Sequence, residues 1–585
     1  MMIILVSACG GGSSRGGTAS SKPEASYCSN TSSPANPVAI TASAVYFYRQ
    51  TNVNSGLYGN PVSRGIPFAE VVVTDSAGQV VQCSQTDASG QISLQLSKTS
   101  GTYTLTVNSR AFNSKLKASV LTDPSSNTVY SITKSFTISS SDTSVNAGTL
   151  SAYARLAESP NLEGAAFHIL YNLYLTNEYI RTTTANPSWV ADKVTAYWKQ
   201  GFNPGAYVGT SGGLSFYMQG QSELYILGGS DGNTKTADTD HFDDSVIIHE
   251  YGHFLEDRYS QSKSPGGSHN GNFIIDPRLA WSEGWANFLQ GAVVTVAGGN
   301  AAQGKFYIDT TGYSGDTSET GESGSISIKF DLTQPGASAT YDRVSVAGEG
   351  TFREVSISRF LYKIVTTTGI SFALIWDVFS HEVTGMKNPL NVFSNVGYFS
   401  KNLDSRVPAG EASNWANILT DERQNKTTFD YADPVTSNPS CTRYPRNLTP
   451  VTDGTYSGEA RSNLLRSNDF FSYNHDGSTR TIQLTYQQVT GQTIDLDLYV
   501  YNANYNYQED ALEAQGQSNG TVLAKSDRLN PALESGSESV TLSGLAAGTY
   551  LINVKANTYG KSAFQVNGTA SYSLSMGGVP LCPEN

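Results

Sequence analysis

The run Asp243-Asp-Ser-Val-Ile-Ile-His249-Glu250-Tyr-Gly-His253-Phe-Leu-Glu256-Asp257 constrains this chain more than any other stretch. Val246, Ile247, Ile248, Phe254 and Leu255 supply the buried side of a helix, and Asp243 and Asp244 stand where N-caps and first-turn acids belong. On such a helix His249 and His253 lie about 40° apart around the axis and one turn apart along it, so both imidazoles can reach one ion. Glu250 falls about 100° round from His249. From there it can deprotonate a water while the imidazoles hold the metal, the division of labour that metal-assisted amide hydrolysis requires. The spacing predicts zinc, with His249 and His253 as ligands and Glu250 as general base.

Tetrahedral zinc needs a third protein ligand and an open position for water. The candidate is Glu283, thirty positions after His253, in the helix-periodic segment Leu279-Ala-Trp281-Ser-Glu283-Gly-Trp285-Ala-Asn287-Phe-Leu289. A histidine six positions after His253, the other common arrangement, is absent because Tyr259 stands there.

The pair His249-Glu-x-x-His253 and Glu283-Gly-Trp-Ala-Asn287 resembles the gluzincins, the thermolysin and fungalysin kind of zinc metallopeptidase, over about half of the chain. That resemblance implies a central α+β metallopeptidase, a Glu-assisted hydrolysis of peptide bonds and polypeptide substrates. It also implies a residue four after the third ligand that accepts a hydrogen bond from a zinc-bound histidine. An aspartate is usual there. This chain has Asn287, whose amide oxygen accepts the bond but brings no charge; the alternative is a helix-packing amide. The Gly-x-Met-Glu-Asn strand of the aminopeptidase branch is missing, which favours an endopeptidase. Ser222 to Gly229 reads as a strand ending in a turn, where the resembling enzymes pair an edge strand with substrate.

Two further residues are candidates for stabilising the transition state. His269, in the Gly- and Ser-rich Gly267-Ser-His269 loop, either faces the cleft or is an exposed loop histidine. Arg353 precedes a predicted helix where thermolysin-like chains keep an oxyanion-binding histidine; it either supplies a fixed positive charge there or is a solvated helix-start arginine.

Around this centre the sequence predicts a multidomain protein. A net charge of -13, without a basic patch or finger-type Cys/His repeat, speaks against nucleic acid as a partner. At the amino terminus Val6-Ser-Ala-Cys9 resembles a bacterial lipobox, which implies a lipid on Cys9 and a membrane anchor in the cell envelope, at the outer membrane or surface. The apolar stretch before Cys9 is shorter than a working signal, so the reading places the true start upstream. Residues 1–9 are thus assigned to the signal and 10–38 to a Gly/Ser tether.

From 39 to 152, short β-rich runs separated by Asp75-Ser-Ala-Gly78 and Asp87-Ala-Ser-Gly90 describe a β-sandwich. It resembles the regulatory, transthyretin-like sandwiches of secreted peptidases. Helical patterns from Leu162 to Ile180 and again from Ser188 open the peptidase, assigned to 153–432, with later helices at Ser371 to Phe379 and Asn414 to Glu422. A linker at 433–450 leads to a β domain over 451–582 that resembles the bacterial pre-peptidase C-terminal jelly-roll. Asp495 and Asp497 alternate on one of its strands, as calcium ligands or as a solvated strand edge. Cys28 with Cys83, and Cys441 with Cys582, is the pairing that respects these boundaries in an oxidising compartment. The expected function is an exported, lipid-anchored zinc endopeptidase; the alternative is a surface adhesin built on a non-catalytic peptidase-like scaffold.

Overall fold

The computed structural model describes residues 23–31, 33–34, 36–154, 162–208, 213–229, 238–266, 269, 275–311, 325–334, 349–388, 394–424, 433–437, 446–448, 468–488, 494–502, 522–526, 535–558 and 570–583. Cys9 lies outside them. The chain is β-rich and multidomain, with helices concentrated between 163 and 421.

Two four-stranded sheets form the amino-terminal region. The first centres on Pro37–Asn52, flanked by Ser144–Ala152, Gly56–Gly65 and Gln91–Ser97, and the second runs in the order Val80–Gln85, Glu70–Asp75, Gly101–Asn108, Ser131–Ile138. Residues alternate buried and exposed along Gln91–Ser97, the period-two pattern of a half-buried strand. The aspartates of the two turn signals organise their loops. Asp75 Oδ1 accepts the amides of Ala77 and Gln79, and Asp87 Oδ1 accepts those of Ser89 and Gln91. Gly78 and Gly90 then take positive φ, at 77° and 82°. Cys28 and Cys83 form a disulfide across this region. Cys582 is disulfide-bonded too, while Cys441 lies outside the described residues.

The expected break at 152/153 is crossed by a sheet. Strands Arg110–Phe112 and Lys117–Leu121 extend a five-stranded sheet whose other members are Val194–Tyr197, Glu223–Tyr225 and Phe216–Met218. Lys117–Leu121 pairs in parallel with Val194–Tyr197, Ala118 facing Val194. One hydrophobic core runs from Val38 in the first sheet to Leu419 in the last of these helices, so sandwich and helical region bury a common interior. Where a second helix was expected from Ser188, the chain forms a loop and then the strand Val194–Tyr197. The β-branched Val194 and Thr195 fill a slot between two waiting strands, and tertiary pairing outweighs the local helical pattern.

The helix Glu163–Thr183 leads into the helical layer, followed by Asp244–Tyr259, Pro277–Val296 and Glu354–Thr367. Beyond Asp421 a ten-stranded sheet occupies the carboxy-terminal region. The expected linker contributes to it: Asp433–Ser437 pairs with Asn468–His475 and Val579–Pro583, and Arg446–Leu448 pairs with Ala570–Met576. Strand Ile494–Asn502 is internal, between Val522–Ser526 and Gly548–Thr558. Asp497 is buried on it with Lys555 directly opposite, so it is no solvated edge; the side chain of Asp495 lies outside the description. Among the described residues no helix is long and apolar enough to cross a membrane.

Candidate metal centre

The helix carrying His249, Glu250 and His253, Asp244–Tyr259, packs against Pro277–Val296, which carries Glu283 and Asn287. Two glycines permit the approach. A Cβ on Gly252 would stand 3.0 Å from Ala286 Cα, and one on Gly284 would stand 2.5 Å from Ile357 Cγ2 in the helix Glu354–Thr367. Trp285 Nε1 also donates to the Gly252 carbonyl at 3.2 Å. Asp276 caps the Glu283 helix by accepting the Arg278 amide, with Pro277 at its first position.

This crossing brings His249 Nε2 to 3.0 Å from His253 Nε2, and Glu283 Oε2 to 3.1 and 3.3 Å from the two nitrogens. Proton placement makes that triangle informative. The oxygen of Asn287 is an acceptor only, so at 2.8 Å it takes the proton of His249 Nδ1. Ser282 donates its hydroxyl to Glu256 Oε2 at 2.5 Å, leaving its oxygen to accept from His253 Nδ1 at 3.1 Å. Neutral imidazoles protonated at Nδ1 present bare Nε2 lone pairs. Two lone pairs and a carboxylate oxygen therefore converge at about 3 Å, in a pocket where Glu283 is fully buried. Without a cation between them these atoms repel. Zinc bonds of about 2.0–2.1 Å at tetrahedral angles put donor atoms about 3.3 Å apart, so the donor set fits that ion.

Glu250 lies beside the triangle and is 3% exposed. It accepts the backbone N–H of Tyr217, while its Oε2 has no partner. Burial raises its carboxyl from the ordinary value against the pull of His249 and His253. Tyr217 belongs to Phe216–Met218, the edge strand of the five-stranded sheet, whereas Glu223–Tyr225 is internal. The edge beside the glutamate is thus one strand earlier than Ser222 to Gly229. Strand periodicity alone does not distinguish an edge from its neighbour.

His269 is buried, not an exposed loop histidine. Its Nδ1 meets Glu354 Oε2 at 2.6 Å and its Nε2 lies 3.5 Å from Glu283 Oε1. Burial pushes its pKa down, but the carboxylates of Glu283 and Glu354 outweigh that and hold it up at about 9. Arg353 is 1% exposed at the N-cap of the helix Glu354–Thr367, so it is not a solvated arginine. Its neighbour Glu354 is the residue that reaches His269. Ser282, Glu256 and Glu354 were not singled out from sequence. Glu256 sits three residues after His253, on the same helix face, which is the one local signal for it. Tyr307 meets the His249 ring edge-on, with centroids 5.7 Å apart.

No protein-family model matches the chain, and no curated protein matches it. Among solved structures it is similar to the pre-peptidase C-terminal domain of a collagenase from Bacillus anthracis, at 11% identity over 23% of this chain and 90% of that one, with a TM-score of 0.13. It is also similar to a cycloisomaltooligosaccharide glucanotransferase from Paenibacillus sp., complexed with cycloisomaltoheptaose, at 10% identity over 92% of this chain and 72% of that one, again with a TM-score of 0.13. Superposition at that level establishes no shared fold.

Proposed function

We propose that the chain is a zinc-dependent endopeptidase of the gluzincin kind, with a carboxy-terminal jelly-roll domain, exported and tethered through Cys9. One observation carries the reading: the Nε2 atoms of His249 and His253 and a buried Glu283 oxygen converge within 3.0–3.3 Å beside a glutamate with one unpartnered oxygen. His249, His253 and Glu283 would hold zinc, which when bound acidifies water and polarises the scissile carbonyl.

The remaining work belongs to the chain's own groups. Glu250 Oε2 takes the proton of the attacking water and returns it to the leaving amine. The Tyr217 amide donates to the carboxylate of that base. Phe216–Met218 is the edge strand of its sheet among the described residues, where an extended peptide would add as a strand with its backbone beside Glu250. His269, charged and braced by Glu354, places a positive charge 3.5 Å from Glu283 Oε1, and Asn287 and Ser282 keep the histidines in the metal-binding tautomer. The Cys28–Cys83 disulfide supports an oxidising compartment outside the cytosol.

Metal analysis of the purified full chain, beside digestion of casein with and without chelator, tests the proposal. One zinc per chain and chelator-sensitive cleavage are expected. Absence of zinc, or zinc without cleavage of any denatured protein in a broad screen, replaces the enzyme with a binding scaffold.

A further inference from the structure

A second set of metal-ligating side chains converges away from the histidines. Asp238, Asp240 and Asp309 each bring one carboxylate oxygen within 4.8 Å of the others. The first two come from the segment ahead of the Asp244–Tyr259 helix, and the third from strand Phe306–Thr311. A backbone bridge between Asp238 and Thr311 joins the two segments. Asp240 is 4% exposed and Asp309 5%, while Asp238 is partly open to solvent.

Asp240 and Asp309, both more than nine-tenths buried, each keep one carboxylate oxygen without a partner. Asp240 receives the Ser215 hydroxyl on Oδ2 at 2.5 Å while its Oδ1 has no partner, and Asp309 shares a side-chain hydrogen bond with Asp238 while its own Oδ1 has none. The hydroxyl of Thr239, fully buried between the two aspartates in the chain, is likewise unpartnered. No basic side chain ranks among the strongest influences on Asp240 or Asp309. After burial itself, the groups acting most strongly on Asp309 are Asp238, Asp240 and Asp243, and all three push its carboxyl up. Asp243 adds a further acid, held by the Thr310 amide at 2.7 Å and the Thr310 hydroxyl at 2.9 Å. Buried carboxylates crowded against one another are strongly disfavoured in their charged form, and a cation between them removes the penalty.

We propose that Asp238, Asp240 and Asp309 form a binding site for a hard divalent cation, calcium by its oxygen donors, that ties the segment ahead of the His249 helix to the strand beside it. Calcium takes oxygen ligands at about 2.3–2.6 Å and so spans oxygens up to about 5 Å apart. The site would anchor both Asp243, the N-cap position of that helix, and the strand whose Tyr307 packs on His249. It stands independently of the zinc reading, since none of its residues is a zinc ligand.

Terbium, a calcium substitute, tests it in the full chain stripped of divalent ions and reloaded with one equivalent of zinc in every arm. Tyr307, two residues from Asp309, is placed to sensitise emission. Wild type should show tyrosine-sensitised emission that excess calcium reverses, and calcium should raise Tm. D240N and D309N should lose both responses at unchanged zinc content. In calcium-free protein D309N should melt no lower than wild type, because it removes one of several mutually repelling acids. A wild type whose Tm ignores calcium overturns the proposal. So does a D309N that is destabilised equally with and without calcium, which would leave the aspartates as acids sharing protons.

Discussion

Asn287 accepts the Nδ1 proton of His249 at 2.8 Å across two packed helices, and that bond decides which imidazole nitrogen faces His253 and Glu283. Removing it in Asn287→Ala frees the ring to rotate and change tautomer. Zinc affinity should fall by about ten- to a hundredfold, measured by competition with a chromogenic chelator. Asn287→Asp should bind at least as tightly as wild type, because a carboxylate makes the imidazole more basic. Equal affinity in all three proteins would show that Asn287 only packs.

Glu250→Gln keeps the size of the side chain but cannot accept a proton from water. Zinc content and Tm should stay near wild type while peptide hydrolysis falls by at least about a hundredfold, the scale expected for loss of a positioned general base. Wild-type turnover in this variant would remove Glu250 from the mechanism.

Gly284 sits where a methyl group would meet Ile357 at 2.5 Å. Gly284→Ala should therefore cost about 1–3 kcal/mol through overpacking, and it should displace the adjacent Glu283 from the histidines. A lower Tm together with weakened zinc binding is expected, both partly restored when Ile357→Ala is added. Additive losses in the double variant would place the strain elsewhere.

Glu422 is fully buried and receives Arg359 at 2.8 Å and Lys363 at 2.7 Å. Burial pushes its carboxyl up, but the two cations outweigh burial and leave it below its ordinary 4.5. The unfolded chain thus binds this proton more readily than the folded one. The pair's stabilisation is present above about pH 4.5 and drains away as pH falls below it. Glu422→Gln should lose about 3 kcal/mol at neutral pH, since Arg359 is left buried without its counter-charge. Chemical denaturation from pH 7 down to 3 should show a shallower acid decline in the variant; parallel profiles would assign the acid sensitivity to other groups.

Local chemistry made much of this protein readable before any coordinates. The i, i+4 histidines with Glu250 between them need only helical geometry, and the turns at Asp75 and Asp87 need only an aspartate oxygen and a glycine. The helices Glu163–Thr183, Phe372–Ser380 and Ala412–Asp421 follow the same logic of periodicity. What depends on residues distant in sequence was decided only in three dimensions. Strand Lys117–Leu121 joins the sheet of Val194–Tyr197, and Asp433–Ser437 and Arg446–Leu448 become strands, because pairing partners and a shared core supply energy that no local window contains. His269 is buried for the same reason: it has Glu354, eighty-five residues away, to bond, and Glu283 to face. The aspartates 238, 240 and 309 look like ordinary loop and strand acids until folding brings them together. Sequence spacing determined the chemistry that one helix can present; only the packing of helix against helix and strand against strand determined which charges meet, and at what distance.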